Sequence, residues 1–434
     1  SWRQADTAAV SRNFIKDGFN PLIPKFDDMS KQANGLDNPN RYRFVEFPIY
    51  NLLIAAGWKV FGVSVTYARL VTVFISLGST LALYFLVRHF SGVKTALLAS
   101  FFFAAIPYNV FYSSAILPGP LMVFSTLLFY ISYVLYLEKN KIVYFMLAIL
   151  FANIAILTWP IALFFTIPAL FLAFDKFGLS LIKNLKLWTL AILAITPFIA
   201  WRIWMTNFPQ GIPNYLFLIN EGAIRFKGAF FWWLIQERLA GLILSGTGFA
   251  LFILGLVIKP KTKEKLFYLS ILLSAVVYFA VFASGNVRHD YYQVPVIPIL
   301  CIFMAIGTKT LLDSKSLFIG KFTGPPIALA LIILTFAFGY FQIKGYYWIN
   351  KPQIVDAGRA VDRLLPEDAT VIAPYNGDAA FLYQTNRRGY PITDRPLEDY
   401  VNQGTKYLVS VDVGDSGIQN LAANCSVIEQ TSTY

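Results

Sequence analysis

Long segments without a charged residue dominate the sequence. No Asp, Glu, Lys or Arg occurs in residues 70–87, 95–137, 142–174, 187–201, 239–258, 266–287, 291–308 and 322–343. A helix needs about 20 mostly apolar residues to cross a hydrocarbon layer of roughly 30 Å. Segments of this length and composition predict a chain that crosses a membrane many times.

The two longest segments exceed one crossing and contain turn-forming residues near the middle. In the first, residues 107–120 read PYNVFYSSAILPGP. In the second, Thr158 is followed by Trp159 and Pro160. Because proline interrupts a helix, and glycine and serine favour turns, each segment is predicted to fold back. The count then becomes about ten crossings, each of a length that fits the bilayer.

Basic residues collect in alternate loops between the apolar segments. Fourteen Lys or Arg and only four acids fall in residues 88–94, 138–141, 175–186, 259–265 and 309–321. By the positive-inside rule, these loops are predicted to face the cytoplasm. The remaining polar sequence, which includes residues 1–65, 205–238 and everything after 344, is then predicted to face the opposite side.

The overall composition supports the same class of protein. Of 434 residues, 57% are hydrophobic, 17% aromatic and 14% charged, whereas soluble domains have about 25% charged residues. A soluble enzyme filling the chain and a disordered chain are therefore excluded. The formal net charge of +12 is explained better by membrane topology than by a nucleic-acid partner. Cys301 and Cys425 are too few for a disulfide framework.

We predict a mainly α fold in three parts: a polytopic transmembrane helix bundle with an outer loop before it and a small extracytoplasmic α/β domain after it. Residues 1–65 form the outer first loop, in which residues 47–61 are predicted to be an amphipathic helix at the membrane interface. Residues 66–345 form the helix bundle, and residues 346–434 form the C-terminal α/β domain.

The C-terminal domain is predicted from short alternating elements. The pattern predicts helices at 354–364 and 378–384 and strands at 369–373, 406–411 and 425–429. Since the last of these strands stands near the end of the sequence, we expect the domain to continue beyond residue 434. The opening residue is not a Met and no signal-like leader follows, so we also expect a helix to precede the chain.

Two carboxylates stand in the predicted outer loop, near the membrane. Asp6 follows Arg3 in SWRQAD, and Glu46 stands two residues before Pro48 in VEFP. A carboxylate at a helix N-terminus is stabilised as the anion, which suits a base or a binding group. Structural alternatives stay open, because an ion pair with Arg3 or Arg12 explains Asp6 equally well, and Glu46 is equally well explained as a charge at a helix start.

A third cluster of polar residues occurs in NVRHDYYQVP, between two apolar segments. It contains Arg288, His289, Tyr291 and Tyr292. Arginine binds phosphate well, and tyrosine rings suit a wet interface or the face of a sugar. The same residues would also serve as anchors at lipid headgroups, and this alternative stays open.

Asp27 and Asp28 form a tandem acidic pair in the outer loop. We interpret the pair as part of a solvated loop, although two adjacent carboxylates could also bind a divalent cation. The sequence contains no metal-ligand spacing and no glycine-rich phosphate loop. The metal requirement is therefore open.

Together these features resemble the GT-C superfamily of integral-membrane glycosyltransferases, nearest the protein mannosyltransferase and aminoarabinose transferase group. The matching motifs are the acid in WRQADTAAVSRNF, the acid before proline in VEFPIYNLL, and RHDYYQVPVIPIL. The last is similar to the family's Arg/His-x-Tyr-x-x-Pro-x-x-Pro pattern. The likeness extends over residues 1 to about 310 in the order of the apolar segments.

The resemblance implies transfer of a sugar from a polyprenyl-phosphate donor to a lipid, glycan or protein acceptor, generally with inversion. The reaction would occur on the extracytoplasmic face of the inner (plasma) membrane. Asp6 would be the catalytic base, and Glu46 would position the acceptor or a divalent metal. The residues expected to bind substrate are Arg3, Arg288, His289, Tyr291 and Tyr292. We expect Asp6 and Arg288 to face a common cavity.

Two positions depart from the family's pattern. Relatives often have an acid near the position of Gly119 and a lysine at the position of Trp159. A second phosphate-binding cation would then come from Arg202, Arg225 or Lys227. The alternative class is a transporter or flippase for an amphipathic lipid-linked substrate. Transporters often show internal repeats and polar groups near the mid-membrane, and we find no repeat in this sequence.

Overall fold

The computed structural model describes residues 2–32, 34–258, 263–313, 323–423 and 425–434. The chain is mainly helical, with one small sheet near the C-terminus. It divides into two compact units. We call residues 2–68, 203–214 and 349–434 the polar unit, and the described part of residues 69–202 and 215–348 the apolar unit.

The apolar unit is built from helices that follow one another with short breaks. They are α3 (Val65–Ala105), α4 (Pro107–Tyr112), α5 (Gly119–Lys139), α6 (Ile142–Thr158), α7 (Ile167–Phe177), α8 (Leu185–Met205), α9 (Leu216–Asn220), α10 (Gly228–Phe231), α11 (Thr247–Val257), α12 (Lys263–Val281), α13 (Ala283–Arg288), α14 (Ile297–Leu312) and α15 (Gly324–Tyr347). Shorter 3₁₀ segments are Pro160–Thr166, Gly178–Lys183, Pro209–Gly211, Glu221–Phe226 and Asp290–Val296, and Trp232–Ile243 is a π-helix.

Several helices have the length and composition of membrane spans. Within the described residues, seven are long and apolar enough to cross a bilayer, or up to eight if a pair bent by 112° is one span. The first, α3, has non-helical dihedral angles at Gly92 (φ 78°, ψ 175°), which divide it into two helical parts joined by a kink. Helix α6 is apolar but only 17 residues long. The polytopic helical fold is confirmed, while the count of about ten crossings stays a prediction.

Both predicted helix breaks occur where the sequence places its turn formers. Helix α3 ends at Ala105, and a short helix and a turn precede the start of α5 at Gly119. Helix α6 ends at Thr158, and Trp159 is extended (φ −157°, ψ 113°) before the 3₁₀ segment that begins at Pro160. Proline has no backbone N–H to continue the preceding helix, which explains why both breaks contain it.

The polar unit combines the N-terminal loop with the C-terminal domain. Its further elements are α1 (Trp2–Lys16), α2 (Ile49–Phe61), α16 (Pro352–Leu364), β1 (Thr370–Ile372), α17 (Ala379–Gln384), β2 (Arg388–Tyr390), α18 (Leu397–Asn402), β3 (Tyr407–Leu408) and α19 (Ser416–Ala422). The sheet has the order β2-β1-β3, and both pairings are parallel. A hydrophobic cluster of Ala9, Val10, Phe14, Phe26 and Ala55 packs against Tyr383 of α17. Residues from both ends of the chain therefore share one core.

The predicted helices and the first two predicted strands of this domain are confirmed within a few residues. The strand predicted at 425–429 is wrong, because these residues form no regular element. Strand β2, which the sequence did not predict, pairs with β1 instead. A Cβ on Gly389 of β2 would lie 1.7 Å from the carbonyl oxygen of Val371, so only glycine fits this close contact between strands.

Candidate functional site

Helix α1 carries Asp6 in a stretch, residues 5–14, that is buried on all sides. The carboxyl side chain of Asp6 is 7% exposed, and the side chains on the same face of the helix are also buried. The helix is joined to α2, because the Asn51 side-chain amide donates a 2.7 Å hydrogen bond to the carbonyl oxygen of Thr7. This contact fixes the turn of α1 that contains Asp6.

A short antiparallel bridge brings Arg43 to Asp6. Lys25 pairs with Tyr42, and the Arg43 backbone N–H donates to the carbonyl oxygen of Pro24 at 2.9 Å. Arg43 Nη2 then donates to Asp6 Oδ2 at 2.7 Å. Both side chains are about nine-tenths buried, so this pair is charge-assisted and shielded from water. The interpretation of Asp6 as a partner of Arg12 is wrong.

A second ion pair lies beside the first. Arg3 of α1 pairs with Glu46, and both side chains are largely buried. Glu46 lies just before the helix that begins at Ile49. Its carboxylate is therefore near the helix N-terminus and is also paired with Arg3. The two ion pairs line a cavity of about 20 Å³, together with Thr7, Val10, Pro24, Val45, Pro48 and Asn51.

Burial changes the acidity of Asp6. Burial raises the pKa of Asp6 from its ordinary 3.8 to about 6. The positive charges of Arg43 and then Arg3 lower the pKa, while the negative charges of Asp28 and Asp27 raise it. A carboxyl group with a pKa just below neutral is mostly ionised at pH 7 and still accepts a proton readily, which is the requirement for a general base.

In the tandem pair, Asp27 is buried and Asp28 is half-buried, so the prediction of a solvated loop is wrong. Asp27 Oδ2 accepts a 2.5 Å hydrogen bond from Arg12, and Asp27 Oδ1 accepts one of 3.0 Å from Asn13. Burial raises the pKa of Asp28, although hydrogen bonds from Ser30 act in the opposite direction. Both carboxylates interact electrostatically with Asp6.

Arg12 connects this loop to the C-terminal domain. Its guanidinium donates to the carbonyl oxygen of Tyr383 at 3.0 Å and lies 4.3 Å from the centre of the Tyr383 ring. The backbone N–H of Gly389 donates to the carbonyl oxygen of Asp27 at 3.0 Å. The C-terminal domain therefore supports the loop beside Asp6.

Among the described residues of the polar unit, the carboxylates of Glu46 and Asp27 are paired with basic or amide side chains. In the part of the chain that the structure describes, no three His, Cys, Asp or Glu side chains are arranged to hold a metal ion. Glu46 is paired with Arg3, and both oxygens of Asp27 accept hydrogen bonds. This set of donors does not fit a divalent cation, which prefers several converging oxygen ligands.

The third predicted cluster lies in the apolar unit. Arg288 ends α13 and forms an exposed ion pair with Glu221. The ring of His289 lies 5.5 Å from Tyr291 and 5.6 Å from Tyr292. His289 and Tyr291 are half-buried and Tyr292 is buried, so these rings form an aromatic cluster next to a cation, a combination suited to phosphate and to sugar.

Hydrogen bonds fix the turn that carries His289. The hydroxyl groups of Tyr108 and Tyr346 donate to the backbone carbonyl and the carboxylate of Asp290, respectively. The hydroxyl of Tyr278 donates to the carbonyl oxygen of Tyr292 at 3.0 Å. Because each contact comes from a different helix, the turn is held in one conformation.

Trp159 occupies the position where relatives often have lysine, and it packs against Tyr292 with ring centres 5.5 Å apart. Of the cations considered as replacements, Arg202 stacks on Phe198 and Tyr215. Arg225, the second of the three candidates, donates to backbone carbonyl oxygens of Ile219 and Val281. These contacts give Arg202 and Arg225 structural partners.

The structure thus groups the predicted site residues into two sets. Arg3, Asp6 and Glu46 share one cavity in the polar unit, and Arg288, His289, Tyr291 and Tyr292 are neighbours in the apolar unit. The prediction that Asp6 and Arg288 face a common cavity stays a prediction.

Sequence reasoning missed the partners of these residues. They are Arg43, Asp28 and Glu221. The succession of aromatic and basic residues in Tyr42, Arg43 and Phe44 was a usable signal, because successive residues of an extended segment point to opposite sides.

Several solved structures have the same fold. ArnT from Cupriavidus metallidurans, bound to undecaprenyl phosphate, matches with a TM-score of 0.66 and 14% identity over 99% of this chain and 92% of that chain. The Archaeoglobus fulgidus oligosaccharyltransferase in complex with Zn and sulfate gives 0.59 and 14%, over 98% and 65%. AglB of the same organism, with an inhibitory peptide and a dolichol-phosphate, gives 0.57 and 12%, over 98% and 67%.

The chain therefore has the fold of the GT-C integral-membrane glycosyltransferases, and the predicted resemblance is confirmed. Residues 39–204 match the family model of the dolichyl-phosphate-mannose-protein mannosyltransferases. A search of the curated proteins gives no significant match.

Proposed function

We propose that the protein is a membrane glycosyltransferase that moves a sugar from a polyprenyl-phosphate donor to an acceptor hydroxyl, with inversion at the anomeric carbon. The observation that carries the proposal is the buried Asp6 carboxyl beside Arg43 and Arg3, with a pKa of about 6. A carboxylate in such a place is suited to take a proton from an acceptor. The GT-C fold makes this reaction class the appropriate one to test.

In the proposed reaction, Asp6 is the general base. The acceptor oxygen forms a bond to the anomeric carbon of the sugar while the bond from that carbon to the phosphate oxygen breaks. The proton of the acceptor hydroxyl passes to Asp6, and polyprenyl phosphate leaves with the bonding electrons. Attack from the side opposite the leaving group inverts the anomeric configuration. General-base assistance of this kind contributes about 10² to 10⁴ in rate.

Arg43 and Arg3 keep Asp6 ionised before the reaction. Without their charges, burial alone would raise the pKa of Asp6 further. Glu46 holds Arg3 in place through its ion pair and is proposed to position the acceptor. Substitution of Glu46 would therefore act on the base through Arg3 as well as on acceptor binding.

Arg288 and His289 are proposed to bind the phosphate of the donor. The leaving group is a phosphate, whose developing charge needs a cation more than a general acid. Arg288 is exposed at the end of α13, and the neighbouring Tyr291 and Tyr292 provide rings against which a sugar can pack. The proposed acceptor is a hydroxyl group of a lipid, a glycan or a protein.

The proposed orientation follows from charge. The loops with most of the lysines and arginines would face the cytoplasm of a plasma (inner) membrane. The Asp6 cavity and the C-terminal domain would then be extracytoplasmic. What supports this arrangement is the alternation of basic loops along a chain with seven apolar helices in its described part.

The reaction can be tested before the sugar is identified. Mass spectrometry of lipid-linked sugars from membranes with and without the protein should show a donor that is consumed only when the protein is present. Asp6→Asn should abolish this consumption and leave the binding of undecaprenyl phosphate unchanged. Asp17→Asn is the matched control, because Asp17 follows the same helix but lies outside the cavity. Near-normal turnover by Asp6→Asn would contradict the proposal.

A further inference from the structure

Arg288 is held by a carboxylate of its own chain. Its guanidinium pairs with the carboxylate of Glu221, and the two side chains are 53% and 48% exposed. A carboxylate and a phosphate oxygen occupy the same donor edge of a guanidinium group. The Glu221 carboxylate therefore contacts the part of the Arg288 guanidinium that a lipid phosphate would bind.

The position of Glu221 is fixed by the helix that carries Arg288. The backbone N–H of Glu221 donates a 2.6 Å hydrogen bond to the hydroxyl of Ser284, which is buried. Ser284 and Arg288 are four residues apart on α13, so they lie on one face of that helix. Ser284 and Arg288, on one face of α13, thus contact the backbone and the carboxylate of Glu221, respectively.

Neighbouring contacts keep the Glu221 segment in place. The Arg225 backbone N–H donates to Asn220 Oδ1 at 3.0 Å, and the Arg225 guanidinium donates to the carbonyl oxygen of Val281 at 3.2 Å. The pair is therefore a positioned contact and not a chance meeting of two mobile side chains. Its exposure to solvent makes it weak enough to be displaced by a ligand with more charge.

We propose that Glu221 is a built-in competitor for phosphate at Arg288 and thereby sets the affinity of the protein for lipid phosphates. This inference rests on the proposed phosphate-binding role of Arg288. When the phosphate of a donor arrives, it replaces the Glu221 carboxylate on the guanidinium. When spent polyprenyl phosphate leaves, Glu221 takes its place again, which speeds exchange of the carrier.

The test is the binding of undecaprenyl phosphate to the purified full chain in detergent. Glu221→Gln should bind about 2- to 5-fold more tightly than wild type, the range expected for an exposed ion pair. Arg288→Ala should bind at least about 10-fold more weakly. In the Arg288→Ala background, Glu221→Gln should have no further effect, because the competition requires the arginine.

Glu237→Gln is the matched control, since Glu237 is exposed in the same unit and has no ion pair among the described contacts. Its affinity should equal that of wild type. If Arg288→Ala weakens binding while Glu221→Gln does not tighten it, the competitor role is overturned and the phosphate role of Arg288 stands. If Arg288→Ala leaves binding unchanged, the phosphate-binding role of Arg288 and the competitor role of Glu221 are both overturned.

The inference would also be overturned if Glu221→Gln tightened the binding of undecaprenyl phosphate by the same factor in the Arg288→Ala background as in wild type. The carboxylate would then act on the lipid phosphate by repulsion alone. A second readout is kinetic: Glu221→Gln should lower KM for the lipid-linked donor and strengthen product inhibition by undecaprenyl phosphate. If Glu221 had a purely structural role, its substitution would not tighten the binding of both the lipid-linked donor and undecaprenyl phosphate.

Discussion

Arg43 Nη2 lies 2.7 Å from Asp6 Oδ2, and neither side chain is more than about a tenth exposed. The two residues are 37 positions apart in the chain and meet because the bridge between Lys25 and Tyr42 directs Arg43 toward α1. Burial makes the Asp6 carboxylate a stronger base, and the Arg43 charge keeps it from becoming fully protonated at neutral pH.

The buried Asp6 should make stability depend on pH. Well below pH 3.8 the carboxyl is protonated in the folded and the unfolded chain, so it makes stability independent of pH there. As the pH rises to about 6, the unfolded chain loses this proton first, and the folded state loses stability. The loss amounts to about 3 kcal/mol for a change in pKa of this size.

Asp6→Asn removes this titration. We expect the melting temperature of the variant, relative to that of wild type in detergent, to rise as the pH increases from 3.8 to about 6, on top of a constant cost of leaving Arg43 buried without its anion. Other groups titrate in the same range, so the difference between variant and wild type is the quantity to measure. A difference that is constant with pH would mean that the pKa of Asp6 is not raised.

Arg12 should be important for stability through its buried pair with Asp27. Both side chains are 7% exposed, and Arg12 also contacts Tyr383. Arg12→Met leaves the Asp27 carboxylate buried without its cation, which costs about 3–5 kcal/mol. The measurement is the melting temperature of the purified protein, and protease sensitivity of the C-terminal domain should increase in parallel.

Arg363→Met is the matched control for this experiment. Arg363 pairs with Glu429 at 2.6 Å in the same unit, but its side chain is 64% exposed. Water screens such a pair, so the substitution should leave the melting temperature nearly unchanged. Equal effects of the two variants would show that burial of the Arg12 pair has no energetic consequence.

Gly389 should tolerate no side chain. An added Cβ would lie 1.7 Å from the carbonyl oxygen of Val371, and the Gly389 backbone also bonds to Asp27 and Met29. Gly389→Ala must therefore move the strand or the acidic loop, at a cost of about 2–3 kcal/mol. Circular dichroism melting and the transfer rate should both decline. Gly414→Ala, at an open position, should change neither.

The helical fold could be predicted because apolar length and turn residues are local signals. The breaks at Pro107–Pro120 and at Pro160 are examples, since proline acts on its own helix. Short elements were harder. Strand β2 covers only three residues, and its pairing with β1 depends on a glycine whose role appears only in three dimensions. Residues 425–429 have strand-like composition without a neighbouring strand to pair with.

The candidate site could be predicted in part. The sequence indicated Asp6 and Glu46 by their resemblance to family motifs, but their partners come from distant segments. Asp27 has the sequence appearance of a solvated acid, yet Arg12 and Asn13 bury it. Long-range pairing of this kind leaves no periodic pattern in the sequence, so only coordinates reveal it.

The central claim is that Asp6 is the base, and the pH dependence of kcat/KM tests it most directly. This parameter reports the pKa of groups in the free enzyme. For wild type, kcat/KM should rise with pH through a midpoint of about 6. Arg43→Gln should move the midpoint upward, because a cation that lowers the pKa is lost, and Arg3→Gln should do so by less. Asp28→Asn should move it downward. A profile without a midpoint near 6, or one that Arg43→Gln leaves in place, would contradict the claim.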